Sequence, residues 1–239
     1  MYTKKILKIS KYSPSYTVTF VCTIIFIVVA ALLWITDIVN AFTTSRIPAD
    51  ELDTAFSPAN MNPMGYFWSA FILLQILSQM NQVLTSSYIR TSPESKKLLV
   101  QGGTEITILL SGIIYSLLVP VKYLVLRAAG LTAGTVLFGA FLYTVMVCTF
   151  SIYITFFYKI PPLALAAYIL GFFVLFYFMS DMTEHPFVRL LSSQNPLLII
   201  LLGYAGVLLN GLLYYVLANI SYKLPYSQKM LDRLAQNAK

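Results

Sequence analysis

Val18-Thr-Phe-Val-Cys-Thr-Ile-Ile-Phe-Ile-Val-Val-Ala-Ala-Leu-Leu-Trp-Ile35 contains no charged side chain, and its apolar character extends from Tyr16 to Phe42. An α-helix rises about 1.5 Å per residue, so about 20 such residues cross the roughly 30 Å hydrocarbon core of a bilayer. Five further apolar runs follow, at Gly65–Tyr88, Glu105–Leu126, Leu131–Tyr158, Leu163–Ser180 and Pro196–Tyr222. The pattern predicts an all-α polytopic membrane protein of about six transmembrane helices, forming one transmembrane domain over residues 1–239. The first run is too long for the apolar region of a signal peptide, and no small-residue cleavage pattern follows Phe42, so it reads as a retained span.

Composition points the same way. The chain is 58% hydrophobic and 10% charged, with a mean hydropathy of +0.76, which leaves too little polar surface to coat a water-soluble globule. Cys22 and Cys148 lie inside apolar runs with no Cys or His at ligand spacing, which argues against a disulfide framework and against a metal site. The net charge of +7 comes from residues at span ends rather than from a patch interleaved with exposed aromatics, so no nucleic-acid partner is expected.

Basic residues also supply a direction. With the N terminus inside, 12 of the 16 Lys and Arg residues fall on the cytoplasmic side, among them Lys4, Lys5, Lys8, Lys11, Arg90, Lys96, Lys97, Lys159 and Lys223. Cytoplasmic loops retain positive charge, so both termini are expected in the cytoplasm. Outside, the loop Thr43–Met64 carries Asp50, Glu51 and Asp53, and Asp181–Pro196 reads as a short interfacial or re-entrant segment.

The inner connection between the second and third runs is the most informative stretch. Its core is Arg90-Thr-Ser-Pro-Glu-Ser-Lys-Lys97. Ser92 is placed to cap a short helix, Pro93 suits a first turn, Glu94 favours the positive end, and Gly102-Gly103 is placed to stop it. The expectation is a cytoplasmic surface helix over Thr91–Gly102, joined rigidly to two spans. An ordinary positive-inside loop with a capped turn is the plainer alternative. In the second run, Gln75, Ser78, Gln79, Gln82 and Ser86 recur every three or four residues and share one helical face. Such a stripe faces protein or water, as a substrate path, a dimer seam or a plain interhelical hydrogen-bonding surface.

Catalytic signatures are absent from the sequence: it has one His, no His-Glu-x-x-His, no Gly-x-Ser-x-Gly and no phosphate-binding Gly-x-x-x-x-Gly-Lys loop. No catalytic residue, metal ligand or bound cofactor is expected on this chain.

In organisation the chain resembles the membrane subunits of ABC-2 type exporters of bacteria. The features that carry the resemblance are the basic start, six apolar runs, the long first external loop, and Arg90, Ser92-Pro93 and Lys96-Lys97 followed by Leu98-Leu-Val100. The resemblance implies that Arg90, Thr91, Ser92, Pro93, Glu94, Lys96 and Lys97 belong to a coupling helix that docks on a separate ABC ATPase subunit, which holds ATP and Mg. It also implies a second permease copy or a related permease as partner, location in the plasma membrane, and an amphipathic or hydrophobic cargo such as a peptide. The basic run Lys4–Lys11 is placed like the interfacial elbow helix of that class, or is a simple basic flank. An ion-gradient-driven carrier and a non-transporting scaffold are the alternatives.

Overall fold

A computed structural model describes residues 4–5, 8, 11, 16–44, 64–84, 91–128, 134–180, 190, 194–228 and 232. Among the described residues every regular element is helical. Helix α1 is Tyr16–Thr44 and α2 is Met64–Leu84. Helix α3 is one continuous rod of five segments: Ser95–Lys97, a π-helical Leu98–Gly102, Gly103–Ser116, a second π-helical Leu117–Val121, and Lys122–Ala128. Helices α4, α5 and α6 are Gly134–Phe156, Pro161–Ser180 and Pro196–Lys223. Tyr16–Thr36, Ser95–Val125, Gly139–Phe156 and Pro196–Lys223 are each long and apolar enough to cross a membrane, and Pro161–Val174 is a shorter apolar stretch. The chain is therefore a helical membrane protein.

Helix ends follow local chemistry. Pro196 occupies the first turn of α6, where its missing N–H costs nothing, and the Asn195 side chain accepts from Leu197 N at 3.0 Å. Pro161 opens α5 in the same way, after a tight turn in which Lys159 N and Ile160 N both donate to Phe156 O. Pro120 lies inside α3, where it removes a donor and its ring crowds the preceding turn. The backbone widens there into the π-helical Leu117–Val121 instead of breaking.

Helix α4 is the axis of the bundle, with α2, α5 and α6 packed around it, and α3 wedges between α2 and α6. Its face carries Tyr143, Met146, Val147, Phe150 and Ile154, all essentially solvent-free. Helix α1 lies at the edge against α2, through Phe26 on Trp68 and Phe71. It is pinned to α3 where the Trp34 indole donates to Leu117 O at 3.2 Å.

The α3–α6 seam depends on reciprocal approaches of tyrosine to glycine. A Cβ at Gly103 would overlap the Tyr214 ring, and one at Gly203 would overlap the Tyr115 ring. The sequence expectation that Gly102-Gly103 ends a short helix is therefore corrected. Both glycines are buried inside a helix that runs on to Ala128. A glycine in a helix interior costs about 1 kcal/mol against alanine, but the close packing that its missing side chain permits overrides that preference.

Candidate functional site

The inner connection and the feet of the helices meet at one end of the bundle. The helical turn begins at Ser95, three residues beyond the expected cap Ser92. Ser92 still organises the approach: its hydroxyl accepts from Glu94 N at 3.3 Å and its carbonyl from Ser95 N at 3.0 Å. Glu94, at the cap position, makes no side-chain capping bond. Its carboxylate turns to Lys5 instead, with Nζ 3.0 Å from Oε2 and 3.2 Å from Oε1. Both partners are half-exposed, so the pair positions the N-terminal segment more than it stabilises the fold. Lys4, Lys5 and Lys8 are helical, and Lys5 thus lies against the Thr91–Lys97 turn.

Thr91, Pro93, Glu94, Lys96 and Lys97 are exposed and Ser92 is half-exposed, whereas Leu98, Leu99 and Val100 are buried immediately after them. A polar, solvent-facing turn therefore continues into a helix anchored in the core. Arg90, the loop 45–63 and most of the 181–196 segment lie outside the described residues.

A collar of hydrogen bonds surrounds this turn. Ser95 Oγ and Tyr222 Oη lie 3.1 Å apart, tying the start of α3 to the end of α6. Ser221 Oγ donates to Thr155 O at 2.8 Å, and Asn81 Nδ2 donates to Ile154 O at 2.8 Å, tying α6 and α2 to the end of α4. Beyond α6 the chain folds back under the α4–α5 turn. Ser227 N donates to Tyr158 O at 3.0 Å, Lys159 Nζ donates to Leu224 O at 2.7 Å, and the same ammonium lies over the Tyr226 ring. These contacts gather the starts of α3 and α5 and the ends of α2, α4 and α6 at one face, together with Lys5, Lys96, Lys97, Lys159 and Lys223.

Comparison with protein-family models, with curated proteins and with solved structures finds no match. The chemistry of the site must therefore be read from the chain itself. It offers no grouping of His, Cys, Asp and Glu fit to hold a metal ion among the described residues.

The stripe on α2 is brought partly into this collar. Ser78 faces the Tyr158 phenol, Gln79 is buried, and Gln75 and Gln82 are half-buried. Ser86 lies outside the described residues. The described part of the stripe thus faces protein at Ser78 and Gln79.

Sequence reasoning missed the polar residues buried deepest. Asn81 lies off the stripe, yet it makes the α2–α4 bond. Thr107, Ser111, Ser151, Asn210 and Tyr214 are shut away between α3, α4 and α6. Lone polar residues at scattered positions in apolar runs carry no periodic signal. Only the packing of three helices brings them together.

Proposed function

We propose that this chain is the permease subunit of an ATP-driven exporter of the ABC-2 type, with six spans and both termini in the cytoplasm of a bacterial cell. The observation that carries the reading is the direct continuation of the exposed Thr91–Lys97 turn into α3 without a hinge loop, with Ser95 fastened to Tyr222 and Glu94 to Lys5. A push on that turn from a soluble partner moves a rod that spans the bundle, together with α6 and the N-terminal segment. The π-helical Leu98–Gly102 lies on this load path, and such segments concentrate at functional sites.

In this reading α2 and α5 are spans as well, because chain direction alternates at the shared face, and the lysines gathered there support its assignment to the cytoplasmic side. The motor is a separate ABC ATPase that binds ATP and Mg, and its closure shifts the equilibrium between two arrangements of the bundle. A second permease, identical or related, completes the path. An amphipathic or hydrophobic cargo such as a peptide suits an interior with few ionised groups, and Gln75, Ser78, Gln79 and Gln82 are the candidate path or seam residues.

The test is co-expression with a candidate ABC ATPase, followed by purification and reconstitution. The expected result is a stable complex whose transport requires ATP, with Lys96→Glu/Lys97→Glu weakening the complex while leaving the permease folded. Transport driven by an ion gradient with the isolated chain, or failure to hold any ATPase, overturns the reading.

A further inference from the structure

Thr107 on α3, Ser151 on α4, and Asn210 and Tyr214 on α6 are each at most 1% exposed. The Thr107 and Ser151 hydroxyls, the Tyr214 hydroxyl and both polar atoms of the Asn210 amide have no hydrogen-bonding partner. Helix contacts place the four on two adjacent turns of the packed helices. The position of Gly103 meets Tyr214 and that of Gly211 meets Ile108, so Thr107 and Asn210 stand at one level of the antiparallel α3–α6 pair. On α4, Thr144 meets Gly206 and Thr155 O accepts from Ser221 Oγ, which sets Ser151 beside the turn of α6 that begins at Tyr214.

The neighbouring polar groups are satisfied. Ser111 Oγ donates to Thr107 O, Thr155 Oγ1 donates to Ser151 O, and Tyr143 Oη donates to Ser111 O at 3.1 Å. Among the described residues the unpartnered groups therefore occupy two adjacent turns of α3, α4 and α6, bounded by paired ones, rather than being scattered through the bundle. Its members are neutral, and each carries acceptor lone pairs and at least one donor hydrogen. Buried polar groups in native proteins find partners, and a ligand that both donates and accepts, carries no charge and fits between packed helices is water.

We infer that Thr107, Ser151, Asn210 and Tyr214 form an internal hydration site, in which ordered water bridges α3, α4 and α6 at membrane depth. A water-bridged contact exchanges partners more readily than a direct one, so the site gives α6 a surface on which to shift against α3 and α4. The inference stands on the described geometry and does not require the chain to be a permease.

Radiolytic hydroxyl labelling of the purified full chain in lipid nanodiscs tests it, because radicals form from water in place and oxidise the adjacent side chain. Tyr214 and Tyr143 are equally buried, but only Tyr143 has a protein partner. Tyr214 is expected to be oxidised about tenfold faster than Tyr143, as an adjacent bound water requires. Asn210→Leu should bring Tyr214 down to the Tyr143 rate while Tyr143 stays protected and the chain elutes unchanged. Ser151→Ala, which removes one hydroxyl with little change of volume, should give a smaller drop and serves if Asn210→Leu does not fold. Equal protection of both tyrosines in the unmodified protein overturns the inference. A Tyr214 rate that changes when choline replaces Na⁺ also overturns it, by assigning the site to a cation.

Discussion

Helices α1 and α4 are both apolar over a membrane-spanning length, yet they do opposite jobs in the bundle. In the apolar window of α4, 67% of the residues are buried, against 6% in that of α1. Val18, Ile24, Ile25, Ile27, Val28 and Leu32 of α1 face outward, where lipid satisfies them as well as protein does. On α4 the aromatic and branched side chains instead fill the space between α2, α5 and α6. Apolar content thus selects what enters a bilayer and does not select what lies at the centre of the bundle. In lipid, helices associate through close packing and polar contacts, with little hydrophobic gain from leaving the tails.

Substitutions at graded distances from the α4 axis are ways to break or sharpen this contrast. The largest effect is expected at Phe150, which packs on Phe71 with ring centroids 5.0 Å apart and on Tyr168 at 6.1 Å. Phe150→Ala should cost about 4 kcal/mol, through lost contacts and an unfilled cavity. Reversible unfolding in mixed detergent micelles measures it, and a loss under about 1 kcal/mol would remove α4 from its central place.

Next comes Gly171 on α5, whose added side chain would meet Thr149 of α4. Gly171→Val should destabilise by about 2 kcal/mol, because the two helices must separate. The same unfolding assay reads it, and a neutral outcome would show that α5 does not approach α4 so closely.

Trp34→Phe is expected to cost about 1 kcal/mol, by withdrawing the donor from Leu117 O and trimming the packed ring. Its sharper readout is local: proteolysis or cysteine cross-linking between α1 and α3 should report loosening of α1 while the α4 core keeps its unfolding midpoint. Loss of the core transition would mean that α1 is integral to it.

Ile25→Ala, at an outward position of α1, should change stability by less than about 0.5 kcal/mol in micelles. A loss comparable to that of Phe150→Ala would show that this face is covered by protein rather than lipid.

The inner connection shows most clearly how far the sequence could be read. Ser92, Pro93 and Glu94 were read as the cap and first turn of a helix, whereas the helix begins at Ser95, three residues beyond the expected cap. The stop at Gly102-Gly103 was misread, because a glycine pair that ends a helix is identical in sequence to one that admits a tyrosine ring from another helix. Gln75, Ser78, Gln79 and Gln82 were legible as a polar face because the α-helical period repeats them. Asn81, Asn210 and Tyr214 were not, since each is a single polar residue within an apolar run.

From the sequence by itself came the helical class, the membrane setting and the start of α6 at Pro196, which needs only local hydrogen bonding. These properties depend on the transfer of apolar residues out of water and on backbone geometry within a few residues, and both act without reference to distant parts of the chain. The choice of α4 as axis and α1 as periphery was decided by tertiary structure alone. So were the continuation of α3 through its glycines and the enclosure of four polar side chains between three helices. Each depends on which side chain meets which glycine, carbonyl or ring across a helix interface, and runs of similar apolar residues do not specify that match until the helices pack.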